Sequence, residues 1–174
     1  MKNIILIGFM GVGKGTVARA YAKLFDAYAI DTDDLIESLE NRKIKDIFES
    51  DGEAYFRSLE KKTAKWLSKN VQDAIISTGG GFFKQKQLKE IGTVVLLDSS
   101  FDGIYQRIIN HPNAKRKLQK RPLFQDIKKA KILYKERSEE YKKVADIIVD
   151  VEGKTPEKIA KEIQKNLLST PSFM

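Results

Sequence analysis

An apolar run that ends in a glycine-rich turn opens the chain, and this junction constrains the fold more than any other feature. Lys2-Asn3-Ile4-Ile5-Leu6-Ile7 leads into Gly8-Phe9-Met10-Gly11-Val12-Gly13-Lys14-Gly15-Thr16, and a helical pattern follows. Strand, glycine-rich turn, Lys and helix is the layout of a phosphate-binding P-loop. The glycines let backbone N–H groups turn toward phosphate oxygens, and Lys14 adds a mobile positive charge. The helix points the positive end of its dipole at the same place. Gly11, Val12, Gly13, Lys14, Gly15 and Thr16 are therefore candidate contacts to a nucleoside triphosphate. One position departs from the strict pattern, which has Ser or Thr directly after the Lys so that its hydroxyl can ligate Mg²⁺. Here that position is Gly15. The metal contact must pass to Thr16, to water or to nearby carboxylates, which Mg²⁺ tolerates because it keeps several of its waters.

The rest of the chain alternates short β-like runs with helical patterns. Strands are predicted over Asn3–Ile7, Tyr28–Asp31, Ala74–Ser77, Val94–Asp98 and Ile147–Asp150. Phe56, Leu59, Thr63, Trp66 and Leu67 share one helical face, as do Ile159, Ile163 and Leu167. Thr155-Pro156 reads as an N-cap followed by Pro at the first helical position. Such alternation predicts an α/β fold, a parallel sheet covered by helices on both faces. Ligands of these sheets bind at the carboxyl ends of the strands, where the P-loop, Asp31–Asp33 and Gly79–Gly81 all fall.

A length of 174 residues suits one domain with a proper core. The absence of cysteine excludes disulfides and thiolate metal sites and fits a cytoplasmic protein. No apolar run is long enough to span a membrane. The N-terminal run is too short for a signal peptide and has no small-residue cleavage site. The formal charge of +8 comes from lysines scattered over helices, without interleaved aromatics. That pattern reads as a solvated surface, so no nucleic-acid partner is expected. Only seven of the 32 basic residues are Arg, and these are the better candidates for bidentate recognition of carboxylate or phosphate. Residues 110–124 stand apart, with two prolines and six basic residues counting His111. A basic connection of this length is expected to act as a lid over a polyphosphate. His111 is expected to be a solvent-exposed spacer, and Ser169–Met174 a frayed tail.

Several side chains carry candidate chemistry. Asp31 and Asp33 follow the second strand; one can hold the Mg²⁺ shell while the other accepts a hydrogen bond from an attacking hydroxyl. The competing reading is a helix start, with Asp33 or Asp34 as N-cap. Gly79-Gly80-Gly81 lets a ligand approach the backbone closely. Glu53 and Glu60 lie four and three residues from Arg57, so all three can meet on a helix. Arg137 sits three residues after Tyr134 and four before Tyr141, a candidate anion clamp.

Together these marks resemble the shikimate kinases over nearly the whole chain. They are Gly8–Thr16, Asp31-Thr32-Asp33, Asp51-Gly52-Glu53 with Phe56-Arg57 and Glu60, Gly79-Gly80-Gly81, Arg121-Pro122-Leu123, and Arg137 ahead of Tyr141. The resemblance implies a nucleoside-monophosphate-kinase-like P-loop fold in three layers, with a five-stranded parallel sheet in order 2-3-1-4-5. It implies one kinase domain over 1–168, with a shikimate-binding segment near 32–60 and a mobile lid near 110–124. The implied reaction is Mg²⁺-dependent transfer of the ATP γ-phosphate to the 3-hydroxyl of shikimate by a monomer. Asp33 would orient or deprotonate that hydroxyl. Arg57 and Arg137 would clamp the carboxylate, with Glu60 bracing Arg57 and Gly79, Gly80 and Gly81 walling the pocket. Ile44 and Phe48 would line its apolar edge. Lys14 and Arg121 would stabilise the transferring phosphate, Arg107 and the loop before Pro156 would hold adenine, and Thr16 and Asp31 would stand near the metal. Gly-Lys-Gly-Thr resembles the adenylate kinases instead and supplies a second reading. A nucleic-acid-dependent ATPase is a third, with no patterned basic face behind it.

Overall fold

The computed structural model describes residues 2–119 and 121–170. Among them, β1 (Asn3–Ile7), β2 (Tyr28–Asp31), β3 (Ala74–Ser77), β4 (Gly92–Asp98) and β5 (Ile147–Asp150) form one sheet in order β2-β3-β1-β4-β5. Every neighbouring pair is parallel. All residues of β1 and β3 are buried, which explains their unbroken Ile/Leu character: helices cover the sheet, so no face of these strands meets water. The surrounding helices are α1 (Lys14–Leu24), α2 (Thr32–Glu40), α3 (Ile44–Asn70), α4 (Leu88–Ile91), α5 (Phe101–Ile109), α6 (Ala114–Gln119), α7 (Ile127–Val144) and α8 (Pro156–Ser169). None of the described helices is long and apolar enough to cross a membrane.

β4 starts two residues before its predicted Val94. Asn3 on β1 pairs with Gly92, and the Asn3 side chain ties the same corner. Its Nδ2 donates to Val71 O (2.8 Å) and Ile91 O (3.0 Å), and its Oδ1 accepts from Ala74 N (3.1 Å). A buried amide with all these partners holds three chain segments in register. At the other end of the sequence, the Thr155 hydroxyl caps α8 by accepting from Lys158 N, with Pro156 as the first helical residue.

α2 and the first half of α3 carry a small core of their own, built from Ile36, Ile47, Phe56 and Leu59 with Ile44 packed against it. α3 breaks at Gly52 (φ +80°, ψ +175°), a backbone conformation that is essentially glycine's alone. The break folds residues 44–51 back toward α2, where Arg42 pairs with Asp51 (2.5 Å) and with Glu40 (3.0 Å).

Four expectations need correction. Trp66 does not share the buried face of Phe56, Leu59, Thr63 and Leu67; it is 48% exposed. Residues 110–124 are not a plain loop, because they contain α6 and most of a 3₁₀ turn over Pro122–Gln125; Lys120 lies outside the described residues. His111 is half-buried, and its Nδ1 accepts from Asn113 N at 3.0 Å to close a local turn. Ser169 ends α8 and Thr170 is its C-cap, so the tail begins later than Ser169; residues 171–174 lie outside the described residues.

Candidate active site

The site lies at the carboxyl edge of the sheet. β1 delivers the P-loop, and Gly13 precedes α1 in a left-handed conformation (φ +104°). A Cβ on Gly13 would stand 2.8 Å from the Arg107 guanidinium, which donates from Nη1 to Val12 O at 3.0 Å. Glycine therefore allows α5 to press a cation onto the loop. Lys14 is buried and donates from Nζ to Gly8 O (2.6 Å) and Phe9 O (3.2 Å). Burial pulls its pKa down to about 8, opposed by the attraction of Asp33 and Asp31; Arg121 and Arg137 add repulsion. Three cations thus converge on one volume, an arrangement that a polyphosphate relieves.

Asp31 is the N-cap of α2, a role the sequence offered to Asp33 or Asp34. Its Oδ1 accepts from Asp33 N (2.9 Å) and Asp34 N (3.3 Å), so the Asp33 side chain is released from capping. The Oδ1 of Asp33 is sealed from solvent and has no hydrogen-bond partner among the described residues. Burial pushes the Asp33 pKa up to about 7, helped by repulsion from Asp31 and Glu60 and opposed by Lys14. A buried carboxylate oxygen without a partner is poised to accept a proton or a hydrogen bond.

Each glycine of the triplet makes room for a different charged side chain. A Cβ on Gly79 would stand 2.9 Å from Asp33 Oδ1, one on Gly80 2.9 Å from Arg137 Nη1, and one on Gly81 2.5 Å from Arg57 Nη1. Thr32, fully buried, accepts from Gly79 N at 3.2 Å and fixes the wall against α2. Sequence reasoning missed this contact; a polar residue between two candidate aspartates was its only signal. Arg57 donates to Glu60 (2.7 Å) and Glu53 (3.1 Å). Glu60 is almost fully buried, and burial raises its pKa against the pull of Arg57. Arg137 stands with Tyr141, whose hydroxyl donates to Gly80 O at 2.7 Å. Tyr134 is not part of that cluster; its ring packs on Phe9 and Phe101, and its hydroxyl donates to Ser99 O.

Phe48 is 38% exposed and packs on Phe56 with ring centroids 4.7 Å apart, at the edge of the α2–α3 core. Arg121 donates to Lys117 O at 3.1 Å and so is anchored to α6. A cleft of about 390 Å³ lies beside the P-loop, lined by Val12, Gly103, Ile104, Arg107 and the 151–154 loop among others. Pro156 opens α8 just beyond that lining.

The model of one protein family, described as Shikimate kinase, matches residues 10–168. The chain belongs to the shikimate kinase family. A shikimate kinase of Helicobacter hepaticus is 43% identical, the match covering 94% of each chain. One from Sulfurihydrogenibium is 42% identical over 94% of this chain and 96% of the relative. Among solved structures, shikimate kinase of Aquifex aeolicus superposes with a TM-score of 0.76 at 38% identity, covering 95% of this chain and 96% of that one. Shikimate kinase of Acinetobacter baumannii, in complex with shikimate, gives a TM-score of 0.77 at 29% identity, covering 97% and 94%.

Shikimate kinases use ATP with Mg²⁺, and the donor set here fits that ion. No group of three His, Cys, Asp or Glu side chains gathers to hold a metal among the described residues. Mg²⁺ is commonly bound through one or two carboxylates, water and the substrate's own phosphates. Asp31, whose Oδ1 caps α2, supplies one carboxylate at the carboxyl edge of the sheet.

Proposed function

We infer that the chain transfers the γ-phosphate of ATP to the 3-hydroxyl of shikimate. The observation that carries this reading is the buried Asp33 Oδ1, unpartnered among the described residues, with Arg57 and Arg137 on the neighbouring glycines and Lys14 close enough to oppose its pKa shift. A small carboxylate with several hydroxyls fits that geometry: guanidinium forks at one end, a carboxylate at the other. Arg57 and Arg137 hold the substrate carboxylate, and the Gly79–Gly81 backbone and Phe48 bound the ring. Asp33 accepts the hydrogen bond of the attacking hydroxyl and takes its proton as the new P–O bond forms. The bond to the leaving ADP oxygen breaks in the same displacement, in which positioning and charge stabilisation do most of the work. Lys14 and Arg121 neutralise the phosphoryl oxygens. Mg²⁺, when bound with the nucleotide, neutralises further phosphate charge. Arg107 and the 151–154 loop bound the base.

Within this reading, residues 1–168 are one kinase domain, the 110–124 segment closes over ATP, and the enzyme works as a cytoplasmic monomer without nucleic acid. ADP release measured with shikimate and, separately, with AMP as acceptor tests the assignment. Turnover is expected with shikimate alone. Turnover with AMP and none with shikimate would replace this reading with the adenylate-kinase one.

A further inference from the structure

The glycine wall and α7 meet at one hydroxyl. Tyr141 is buried to 2% exposure, and its ring packs on Phe83 with centroids 4.6 Å apart. Packing accounts for the ring but not for the oxygen. A phenylalanine would fill the same space, and a buried hydroxyl offsets its desolvation only through its hydrogen bonds.

Two groups of the site share that oxygen. The hydroxyl donates to Gly80 O at 2.7 Å. Arg137 stands one turn earlier on the same face of α7. A Cβ on Gly80 would lie 2.9 Å from Arg137 Nη1 and 3.8 Å from Tyr141 Oη, so guanidinium and hydroxyl sit side by side over one Cα. Burial pushes the Tyr141 pKa up to about 12, opposed by the charge of Arg137 and by a hydrogen bond from it, while Glu140 adds to the rise. The phenol therefore keeps its proton at neutral pH. That proton is committed to Gly80 O, which leaves the lone pairs of the oxygen to accept from Arg137.

The two arginines of the clamp are held by different means. Arg57 is flanked by two carboxylates, Glu60 and Glu53. Arg137 forms no salt bridge with a described residue, and its neighbour is a neutral hydroxyl. A neutral partner fixes a guanidinium without cancelling its charge.

We propose that Tyr141 is the positioning residue of the carboxylate clamp: its hydroxyl pins the Arg137 fork against the Gly80 carbonyl and leaves the charge of that fork free for a substrate carboxylate. This rests on the reading of Arg137 as a shikimate-binding group. A fork already aimed loses less rotamer freedom when the substrate arrives.

The test is Tyr141→Phe in the full chain, which keeps the ring and removes the oxygen. Steady-state kinetics give kcat and both KM values, and titration calorimetry gives ADP affinity. KM for shikimate should rise about tenfold, with kcat, KM for ATP and ADP affinity unchanged. The same change is then made in two backgrounds. Arg137→Lys keeps a charge but has no fork, so there the loss of the hydroxyl should cost less than about threefold in KM for shikimate. In Arg57→Lys it should keep its full effect. A tyrosine with a merely structural role would cost the same in both backgrounds. Equal losses in the two backgrounds overturn the proposal. So does an unchanged KM for shikimate in Tyr141→Phe, or a rise matched by weaker ADP binding. No turnover of shikimate by the unaltered chain would overturn the kinase reading and this one with it. Normal turnover with an indifferent Tyr141→Phe overturns this one alone.

Discussion

Burial sets the working range of the two charged side chains at the centre of the site. Asp33 must be ionised to accept a proton and Lys14 protonated to meet phosphate. With pKa values of about 7 and about 8, kcat/KM should rise as pH climbs through 7 and fall as it passes 8, giving a narrow bell. A profile flat from pH 6 to 9 would separate both groups from the chemistry. The same shift has a consequence for folding. A carboxyl whose folded pKa lies above its unfolded value of 3.8 costs stability wherever it is ionised in the native state. That cost is absent below the unfolded value, grows through the interval and is complete above 7. Asp33→Asn should therefore abolish transfer while nucleotide still binds. It should also stabilise the free protein at pH 8 by of order 2 kcal/mol, a gain that disappears toward pH 4. Denaturant melts at the two pH values read this directly. The arginines behave differently. Arg57→Ala and Arg137→Ala should each weaken shikimate binding by about 2–5 kcal/mol, with ATP affinity little changed, as titration calorimetry with each ligand will report. Both arginines and Asp33 were legible in the sequence as candidates. The sequence could not show that each glycine of the triplet is shaped to one of them, because that fit exists only once α2, α3 and α7 meet the end of β3.

At the scale of elements, what was legible follows from which forces are local. Uninterrupted runs such as Ile4–Ile7 and Ala74–Ser77 announce strands buried on both faces, and Thr155-Pro156 announces a helix start, because burial and capping are written in adjacent residues. The start of β4 is not local: Gly92 is a strand residue only because Asn3 pairs with it. The cap of α2 was assigned two or three residues late, since three carboxylates in four positions offer equivalent caps until Asp31 is seen to end β2. The break in α3 was hidden for a related reason, as a single Gly inside a helical pattern is often tolerated. Gly52 has nothing within 4 Å of a Cβ, so Gly52→Ala meets no steric clash and reports the backbone alone. It should destabilise by about 1–3 kcal/mol, or straighten α3 and pull the Arg42–Asp51 pair apart. In either case KM for shikimate should rise more than KM for ATP, because the helical 44–51 segment belongs to the α2–α3 core and the ATP cleft does not. Equal changes in both constants would mean that the break supports the whole sheet and not this segment.

Over the whole molecule, charge joins the fold to the reaction. The chain carries +8, and the site holds Lys14 and Arg107 on the P-loop, Arg121 and Arg137 near enough to repel Lys14, and Arg57 beside Arg137 on the glycine triplet. Burial depresses the pKa of Lys14, Arg107 and Arg121, so the free protein holds desolvated cations near one another. Two anionic ligands relieve that arrangement, and a ligand that binds only the folded state adds RT ln(1 + [L]/Kd) to stability. At about one hundred times its Kd, MgADP should contribute about 2.7 kcal/mol. For a chain of this size that is roughly 5–10 °C in Tm. Shikimate should add a further increment on top of MgADP, and Arg57→Ala should remove the shikimate increment while keeping that of MgADP. Salt should raise the Tm of the free protein more than that of the doubly liganded one, because screening acts on repulsion that the ligands have already neutralised. Duplex DNA should leave Tm where it is. A Tm that moved with DNA and not with shikimate would reassign the positive charge to a nucleic-acid surface, and the arginines of the cleft with it.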